Sequence, residues 1–208
     1  MKIKPADIGL LVDDWRNNQL EAIESCVYGS KRFVGMCAPT GWGKSIALIG
    51  AGILSGKRTL ILTSSKGLQN QYSKEFQSLN ILDIRGKANY SCRATEVGGE
   101  FYDGSQARSV AEGPCQFGEE CGLRSYGCIY YDKVNAAKYR KLVVANYAAW
   151  ISSNMYTEGW GKFDVICMDE ADTAEGWLAR MLAVRLPRCH TNVLGKYPNG
   201  TRIGTWAA

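Results

Sequence analysis

Apolar positions along the chain form two kinds of pattern that alternate with one another. Continuous apolar runs of the length of a buried strand occur at 33–37, 58–63, 142–145 and 163–168, with a shorter run at 184–186. Apolar residues recur at the spacing of an amphipathic helix at 20–28, 46–54, 68–76, 130–139, 148–155 and 177–182. Strands that alternate with helices in this order predict an α/β fold with a parallel sheet, whose strands are joined by right-handed crossovers.

The segment 86–128 interrupts this pattern. Hydrophobic periodicity disappears there, glycine becomes frequent, and four of the chain's eight cysteines appear at the spacing C-x22-C-x5-C-x6-C. An irregular loop of this length inside a compact domain needs a cross-link, and four thiolates can bind zinc or hold an iron–sulfur cluster. Because the gaps are wider than those of zinc knuckles, the spacing favours a cluster over zinc. The candidate ligands are Cys92, Cys115, Cys121 and Cys128.

Composition is ordinary for a soluble globular protein. A hydrophobic fraction of 46% in 208 residues is enough for a sizeable core. No apolar signal segment follows the basic start of the chain, and the longest uncharged apolar run, Ile46–Leu54, is too short to span a bilayer. We therefore expect a soluble protein of the cytoplasm, or of the nucleus in a eukaryote, without a membrane partner. The net charge of +5 is compatible with nucleic acid but does not demonstrate such a partner.

The segment 38–45, A-P-T-G-W-G-K-S, lies between a predicted strand and a predicted helix. In this context a Walker A loop binds phosphates, because N–H groups of the loop and of the first helical turn point at the anion. Lys44 would reach the β- and γ-phosphates of ATP, and the Ser45 hydroxyl would bind Mg²⁺. Ala38 replaces the first glycine of the usual pattern, so a chance match in an ordinary turn is the alternative. The predicted nucleotide-binding residues of the loop are Thr40, Gly41, Gly43, Lys44 and Ser45.

Two acidic residues, Asp169 and Glu170, follow the strand predicted at 163–168. The carboxyl ends of parallel strands are where such sheets bind ligands. Asp169 would therefore bind Mg²⁺, and Glu170 would orient or deprotonate the attacking water. The alternative is a pair of carboxylates in the first turn of a helix, and the Walker A match upstream in the chain favours the first interpretation.

Polar residues at two helix starts are further candidates for binding. Arg16 and Gln19 open the helix that precedes the P-loop, where they can hydrogen-bond an adenine edge; an ordinary surface arginine and glutamine are the alternative. Lys66 and Gln69 lie near the start of the helix after the strand at 58–63. Hydroxyls, a lysine and free backbone donors there suit a sugar–phosphate backbone, with an ordinary capped helix start as the alternative.

The order of these motifs resembles that of superfamily 2 helicases. The resemblance is carried by R-x-x-Q at 16–19, A-P-T-G-W-G-K-S at 38–45, T-S-S-K-G-L-Q-N-Q at 63–71 and D-E-A-D at 169–172. The cysteines, with G-K-A-N-Y-S-C at 86–92, C-I-Y-Y at 128–131 and V-V-A-N-Y at 143–147, resemble the XPD/DinG-type iron–sulfur helicases. Two departures are D-E-A-D, where these relatives commonly have D-E-A-H, and Ile129, where they often have proline.

This resemblance implies a RecA-like first motor domain that uses ATP and Mg²⁺. It implies an adenine contact by Gln19, with Arg16 as the weaker candidate, and catalytic roles for Lys44, Asp169 and Glu170. It also implies that the four candidate cysteines hold a [4Fe–4S] cluster, with zinc as the alternative, in an insertion within that motor domain.

The resemblance further implies single-stranded or forked DNA as the partner, contacted by Lys66, Gln69 and Asn146. The implied division of the chain is 1–85 and 129–190 as the two parts of the motor domain, 86–128 as the cluster insertion, and 191–208 as a tail or the start of a further domain. Such relatives carry a second RecA-like domain whose arginine completes the ATP site. We therefore expect this chain to be the N-terminal portion of a longer helicase, weakly active or inactive by itself.

Two other function classes stay open at this point. A metal-stabilised nucleic-acid-binding or docking module with a vestigial nucleotide site is the first, and the intact ATP-binding residues argue against such decay. A small-molecule kinase is the second. It would need an acceptor site and a lid, and the sequence suggests neither.

Overall fold

Four parallel strands form the sheet of this computed structural model, which describes residues 3–95, 109–116, 121–157 and 159–183. The strands of this described part are β1 Thr59–Thr63, β2 Leu82–Asp83, β3 Leu142–Asn146 and β4 Val165–Met168. They lie in the order β2-β3-β1-β4, and each neighbouring pair is parallel. Thr59 at the start of β1 is in register with Leu142 of β3 and with Val165 of β4.

Helices cover both faces of this sheet. Those of the described residues are α1 Gln19–Tyr28, α2 Lys44–Leu54, α3 Lys66–Glu75, α4 Ile129–Ala137, α5 Tyr147–Tyr156 and α6 Ala174–Leu182. Helices α4, α5 and α6 contribute to the core on one face, and α2 and α3 contribute to the core on the other. Helix α1 packs on α2 from outside.

Alternation along β1 explains why both faces are covered. All five residues of this strand are buried. Leu60 and Leu62 belong to the core that α4, α5 and α6 complete. Ile61 packs instead with Ile49 of α2 and Tyr72 of α3, because successive side chains of a strand point to opposite faces. The predicted α/β fold with a parallel sheet is confirmed, and this arrangement fits a RecA-like fold.

The strand predicted at 33–37 is wrong. The structure assigns no strand there, the segment takes part in none of the described loop and turn hydrogen bonds, and Phe33 is 84% exposed. A strand needs a neighbour that pairs with its backbone groups, and this apolar segment has none among the described residues. Strand β4 consequently lies at the edge of the described sheet, with Ile166 and Met168 partly exposed.

The remaining predicted strands and helices of the described part are present, with ends shifted by up to three residues. The short strand β2 had no counterpart in the sequence analysis. The strand predicted at 184–186 and the tail at 191–208 lie outside the described residues. Within the described residues, no helix is both long enough and apolar enough to cross a membrane.

One partly buried arginine fastens the start of β1 to the segment that precedes β4. The guanidinium group of Arg58 donates to the carbonyl oxygens of Ala137 at 2.5 Å and Trp160 at 2.7 Å, and also to that of Lys162. Its Cζ atom lies 4.0 Å from the centre of the Phe163 ring. These contacts hold the chain in place just before β4, the strand that carries the acidic residues at its carboxyl end.

Candidate nucleotide-binding site

The predicted Walker A loop leads directly into α2, which begins at Lys44. Gly41 and Gly43 have φ angles of 81° and 91°, in the left-handed region that glycine adopts without steric cost. A Cβ atom at Gly43 would also lie 2.7 Å from the side-chain nitrogen of Gln19, so that glycine is needed for space as well. The first N–H groups of α2 have no partner within the helix, and such groups bind phosphate at P-loops.

The Lys44 side chain folds back over the loop. Its Nζ atom donates to the carbonyl oxygens of Ala38 at 2.9 Å and Pro39 at 3.3 Å. A lysine ammonium group has three donors, so one donor is left for a phosphate oxygen. The positive charge is therefore held at the mouth of the loop before a nucleotide binds.

Gln19 is buried and supports the loop from α1. Its Nε2 atom donates to the carbonyl oxygens of Trp42 at 3.1 Å and Gly43 at 3.0 Å, and its Oε1 atom accepts from the backbone N–H of Arg16 at 3.0 Å. Both amide hydrogens are thus committed to the P-loop. The exposed Arg16 guanidinium lies near Gly43, 3.9 Å from the position of a Cβ there, and is the freer of the two predicted adenine contacts.

Asp169 lies at the carboxyl end of β4 with its side chain nearly buried. Its backbone N–H donates to Leu62 at 2.8 Å, which extends the sheet by one hydrogen bond. Carboxylate oxygen Oδ1 accepts from the N–H of Glu170 at 3.0 Å, and Oδ2 accepts from the Tyr72 hydroxyl at 2.9 Å. The Tyr147 hydroxyl donates to the backbone carbonyl oxygen of Asp169 at 2.9 Å. Both the main chain and the carboxylate are therefore fixed.

Glu170 is exposed and adopts the left-handed conformation, with φ of 51°. This conformation costs about 1 kcal/mol or more for a residue with a Cβ. The Ser64 hydroxyl, just after β1, hydrogen-bonds the Glu170 carboxylate. The Glu170 carboxylate is therefore held beside the carboxyl end of β1, at the same edge of the sheet as Asp169.

Tyr72 of α3 contacts the acidic motif but belongs to neither motif. It is 1% exposed, donates to Asp169, and is close enough to the Ser45 hydroxyl to feel its effect. Burial raises the pKa of Tyr72 most, the Asp169 carboxylate raises it further, and Ser45 partly opposes this. No hydrogen bond of normal geometry joins the hydroxyls of Tyr72 and Ser45 among those described. Helical spacing marks this tyrosine only as core.

The site has the donor chemistry for Mg²⁺ and a phosphate chain. Helix α2 contacts β4, where the Cys167 thiol lies 3.8 Å from the carbonyl oxygen of Leu48, and this brings the P-loop at the start of α2 near the end of β4. A serine hydroxyl and a carboxylate are oxygen ligands of the kind that Mg²⁺ binds together with phosphates. The left-handed glycines and the start of α2 supply the matching anion site.

The predicted nucleic-acid contacts separate into one surface residue and two buried ones. Lys66 is exposed at the start of α3. Gln69 is 0% exposed, and its Oε1 atom accepts from Asn146 Nδ2 at 3.1 Å. Asn146 also caps α5, where its Oδ1 atom accepts from the N–H of Ala149 at 2.9 Å. Gln69 and Asn146 therefore stabilise the ends of the strands and do not offer surface contacts.

The four candidate cluster cysteines do not form a ligand group in the described residues. Cys92, Cys115 and Cys128 share one small core around Tyr130, and Cys121 precedes the short turn Gly122–Arg124. The described part contains no set of three or more cysteine, histidine, aspartate or glutamate side chains able to hold a metal ion. The cluster insertion predicted at 86–128 also includes stretches outside the described residues.

A cleft of about 460 Å³ lies at the opposite, amino-terminal edge of the sheet. It is lined by apolar residues such as Ile53 and Leu142 and by cations such as Lys57 and Arg140. These cations follow the carboxyl ends of α2 and α4, where positive charge complements the helix dipole. The cleft contains none of the predicted site residues, so the P-loop edge is the candidate functional site.

Comparison with protein families agrees with this site. The DEAD/DEAH box helicase family matches residues 16–192, a range that begins at Arg16 and includes every predicted ATP-site residue. Neither the curated proteins nor the solved structures give a match. Because the matched range covers most of the 208 residues, the chain belongs to the DEAD/DEAH box helicase family.

Proposed function

We propose that this chain is the ATP-binding motor domain of a DNA-dependent helicase, in which ATP hydrolysis drives movement along a single strand and duplex unwinding. Family membership supports ATP-driven helicase activity, the use of Mg²⁺ and the binding of nucleic acid. The observation that carries the ATP site is the contact of α2 with β4, where the Cys167 thiol lies 3.8 Å from the carbonyl oxygen of Leu48. This contact brings the P-loop at the start of α2 to the strand that ends at Asp169.

Each site residue has a defined role in this proposal. Lys44 and the first N–H groups of α2 bind the phosphates and neutralise their charge. Ser45 and Asp169 supply oxygen ligands for Mg²⁺, which when bound neutralises charge that develops on the transferred phosphoryl group. Glu170 orients the attacking water or accepts its proton, and the hydrogen bond with Ser64 holds its carboxylate.

The partners belong to the proposal as well. A single strand of DNA, or a fork, would lie along the surface that carries Lys66, because a lysine and the free N–H groups at a helix start suit phosphates. A second RecA-like motor domain would complete the ATP site with an arginine, whose contribution is a factor of about 10³–10⁵ in GTPase analogues.

The iron–sulfur branch is a finer proposal. Thiolate chemistry and the spacing of the four cysteines support a [4Fe–4S] cluster, with zinc as the alternative. Their described arrangement does not itself fit a metal, and the ATP chemistry proposed above makes no use of one. Anaerobic purification, a visible spectrum and metal analysis test this point. Iron with broad visible absorption supports a cluster, and zinc in a colourless protein supports the alternative. If the purified protein contains neither iron nor zinc, the cluster is withdrawn from the proposal.

The ATP site is tested by measuring binding of a fluorescent ATP analogue with Mg²⁺, and hydrolysis with single-stranded DNA or RNA of equal length. We expect Lys44→Ala to weaken binding at least about tenfold, since it removes a charged phosphate contact. We expect Glu170→Gln to bind like the wild type. In a single turnover with the protein in excess, which detects the slow hydrolysis expected without a second motor domain, it should hydrolyse ATP at least about a hundredfold more slowly, as general-base loss requires. Stimulation by DNA and not by RNA supports the DNA substrate.

Lys57→Ala is the matched control, because Lys57 is an exposed lysine at the opposite edge of the sheet. It should leave binding unchanged. A wild-type chain that binds no Mg²⁺–ATP, or a Lys44→Ala variant that binds like the Lys57→Ala variant, contradicts the proposed site. The docking module with a vestigial nucleotide site then becomes the better description.

A further inference from the structure

We propose that Tyr72 is a positioning residue for Mg²⁺, whose hydroxyl holds the Asp169 carboxylate in the orientation that meets Ser45. This inference rests on the proposed ATP site and assigns a role to a residue outside its motifs. Tyr72 belongs to α3, one turn after Gln69, and it would act through Asp169 without itself contacting the nucleotide.

The hydroxyl of Tyr72 has little freedom to move. Its ring is fully enclosed in the core with Ile49 and Cys167 and lies 5.7 Å from the ring of Phe76, tilted by 41°. Helix α3 is held in turn by Gln69, whose Nε2 atom donates to the carbonyl oxygen of Ile84 at 2.8 Å. A rigid helix therefore delivers the hydroxyl to its partner.

The contacts of Asp169 account for both carboxylate oxygens. Oδ1 accepts from the N–H of Glu170 at 3.0 Å, and Oδ2 accepts from Tyr72 at 2.9 Å. One donor on each oxygen fixes the rotation of the carboxylate, and each oxygen keeps acceptor capacity for a cation. Without the phenol, Oδ2 would be free to rotate away from the P-loop or would stay buried without a partner.

The two elements that carry the candidate Mg²⁺ ligands also contact each other. The Ser45 hydroxyl is near enough to Tyr72 to lower the pKa of that phenol, against the larger effects of burial and Asp169. Helix α2, which begins at the P-loop, also contacts β4 two residues before Asp169, where the Cys167 thiol lies 3.8 Å from the carbonyl oxygen of Leu48. This arrangement leaves the P-loop serine and the carboxylate close together before a metal ion binds, so less reorganisation is needed when it does.

The test is Tyr72→Phe, which keeps the ring and removes only the hydroxyl. Nucleotide affinity is measured by titration calorimetry with ADP, once with Mg²⁺ and once with EDTA. We expect affinity in EDTA within about twofold of the wild type, and the gain in affinity on adding Mg²⁺ to fall about tenfold. That factor is the size of one hydrogen bond to a charged group.

Tyr147→Phe is the matched control. It also removes a hydroxyl that donates to Asp169 at 2.9 Å, but the acceptor is the backbone carbonyl oxygen and not the carboxylate. Its Mg²⁺-dependent gain should equal that of the wild type. An unchanged gain in Tyr72→Phe, an equal loss in both variants, or an equal loss with Mg²⁺ and with EDTA overturns the inference. A wild-type chain that binds no ADP under either condition overturns the proposed ATP site instead.

Discussion

At the scale of single residues, Gln19 and Gly43 are fitted to each other. The Gln19 amide donates to the carbonyl oxygens of Trp42 and Gly43, and a side chain on Gly43 would collide with that amide. The P-loop is therefore shaped from outside by a residue of α1. This contact gives Gln19 an indirect effect on nucleotide binding, through the conformation of the loop.

We predict that Gln19→Ala lowers the free energy of unfolding by about 1–2 kcal/mol, because it leaves partly buried backbone groups without partners. It should weaken ATP and GTP binding by similar factors, because the substitution disturbs the conformation of the P-loop and does not remove a contact with the base. Urea unfolding and nucleotide titrations measure both effects. The control Arg16→Ala changes an exposed neighbour and should alter stability by less than about 0.5 kcal/mol. Loss of ATP affinity alone, at unchanged stability, would instead demonstrate a direct adenine contact.

The predictability of the site from sequence differs residue by residue. Lys44 and Ser45 are recognisable because a P-loop is a local string, and Asp169 is recognisable because it directly follows an apolar strand. Tyr72 could not be recognised, since its role depends on a contact with a residue 97 positions away. Helical periodicity reports that such a side chain is buried, but it does not report which polar atom its hydroxyl meets.

At the scale of elements, the apolar pattern predicted most strands and helices but not their pairing. The run at 59–63 became a buried central strand because β3 and β4 flank it. The equally apolar run at 33–37 has no strand assigned and leaves Phe33 exposed. Composition sets the tendency to be extended, whereas a strand also requires a free neighbouring edge in register. Strand β2 has a pairing partner, but its two residues are too few to show a hydrophobic period in the sequence.

Asn146 joins two elements, so we predict that its loss costs more than that of an ordinary cap. Asn146→Ala removes the cap of α5 and leaves the buried Gln69 oxygen without its donor. The expected loss of unfolding free energy is about 2–4 kcal/mol, of which the cap accounts for about 1. Urea denaturation measures this loss.

Ser65→Ala provides the comparison for that prediction. Ser65 caps α3 at an exposed position, accepting from the N–H of Leu68 at 3.2 Å. Its replacement should cost only the cap, about 1 kcal/mol. Equal losses in the two variants would mean that the buried pair of Asn146 and Gln69 adds nothing to stability.

At the scale of the whole molecule, the sequence predicted the α/β class but not the strand order. The order β2-β3-β1-β4 depends on contacts between segments far apart in the chain, which no local pattern contains. Arg58 makes several such contacts, for it reaches carbonyl oxygens at Ala137 and Trp160. It lies in no motif, and its position just before β1 would be ordinary for a solvated cation. Its contacts with distant segments of the same chain are visible only in three dimensions.

We predict that Arg58→Lys lowers the free energy of unfolding by about 2–3 kcal/mol. A lysine ammonium group cannot serve three carbonyl oxygens and also stack on the ring of Phe163, so buried acceptors lose their donors and the ring contact is lost. Arg32→Lys is the matched control, because Arg32 is exposed and contacts only the exposed ring of Phe33, at 5.4 Å, among the ring contacts described. That control should change stability by less than about 0.5 kcal/mol. Chemical denaturation measures both losses, provided that the slope of the unfolding free energy against denaturant concentration is the same in the variants and the wild type. Equal stability of the two variants would show that the fastening of β1 to β4 does not depend on Arg58.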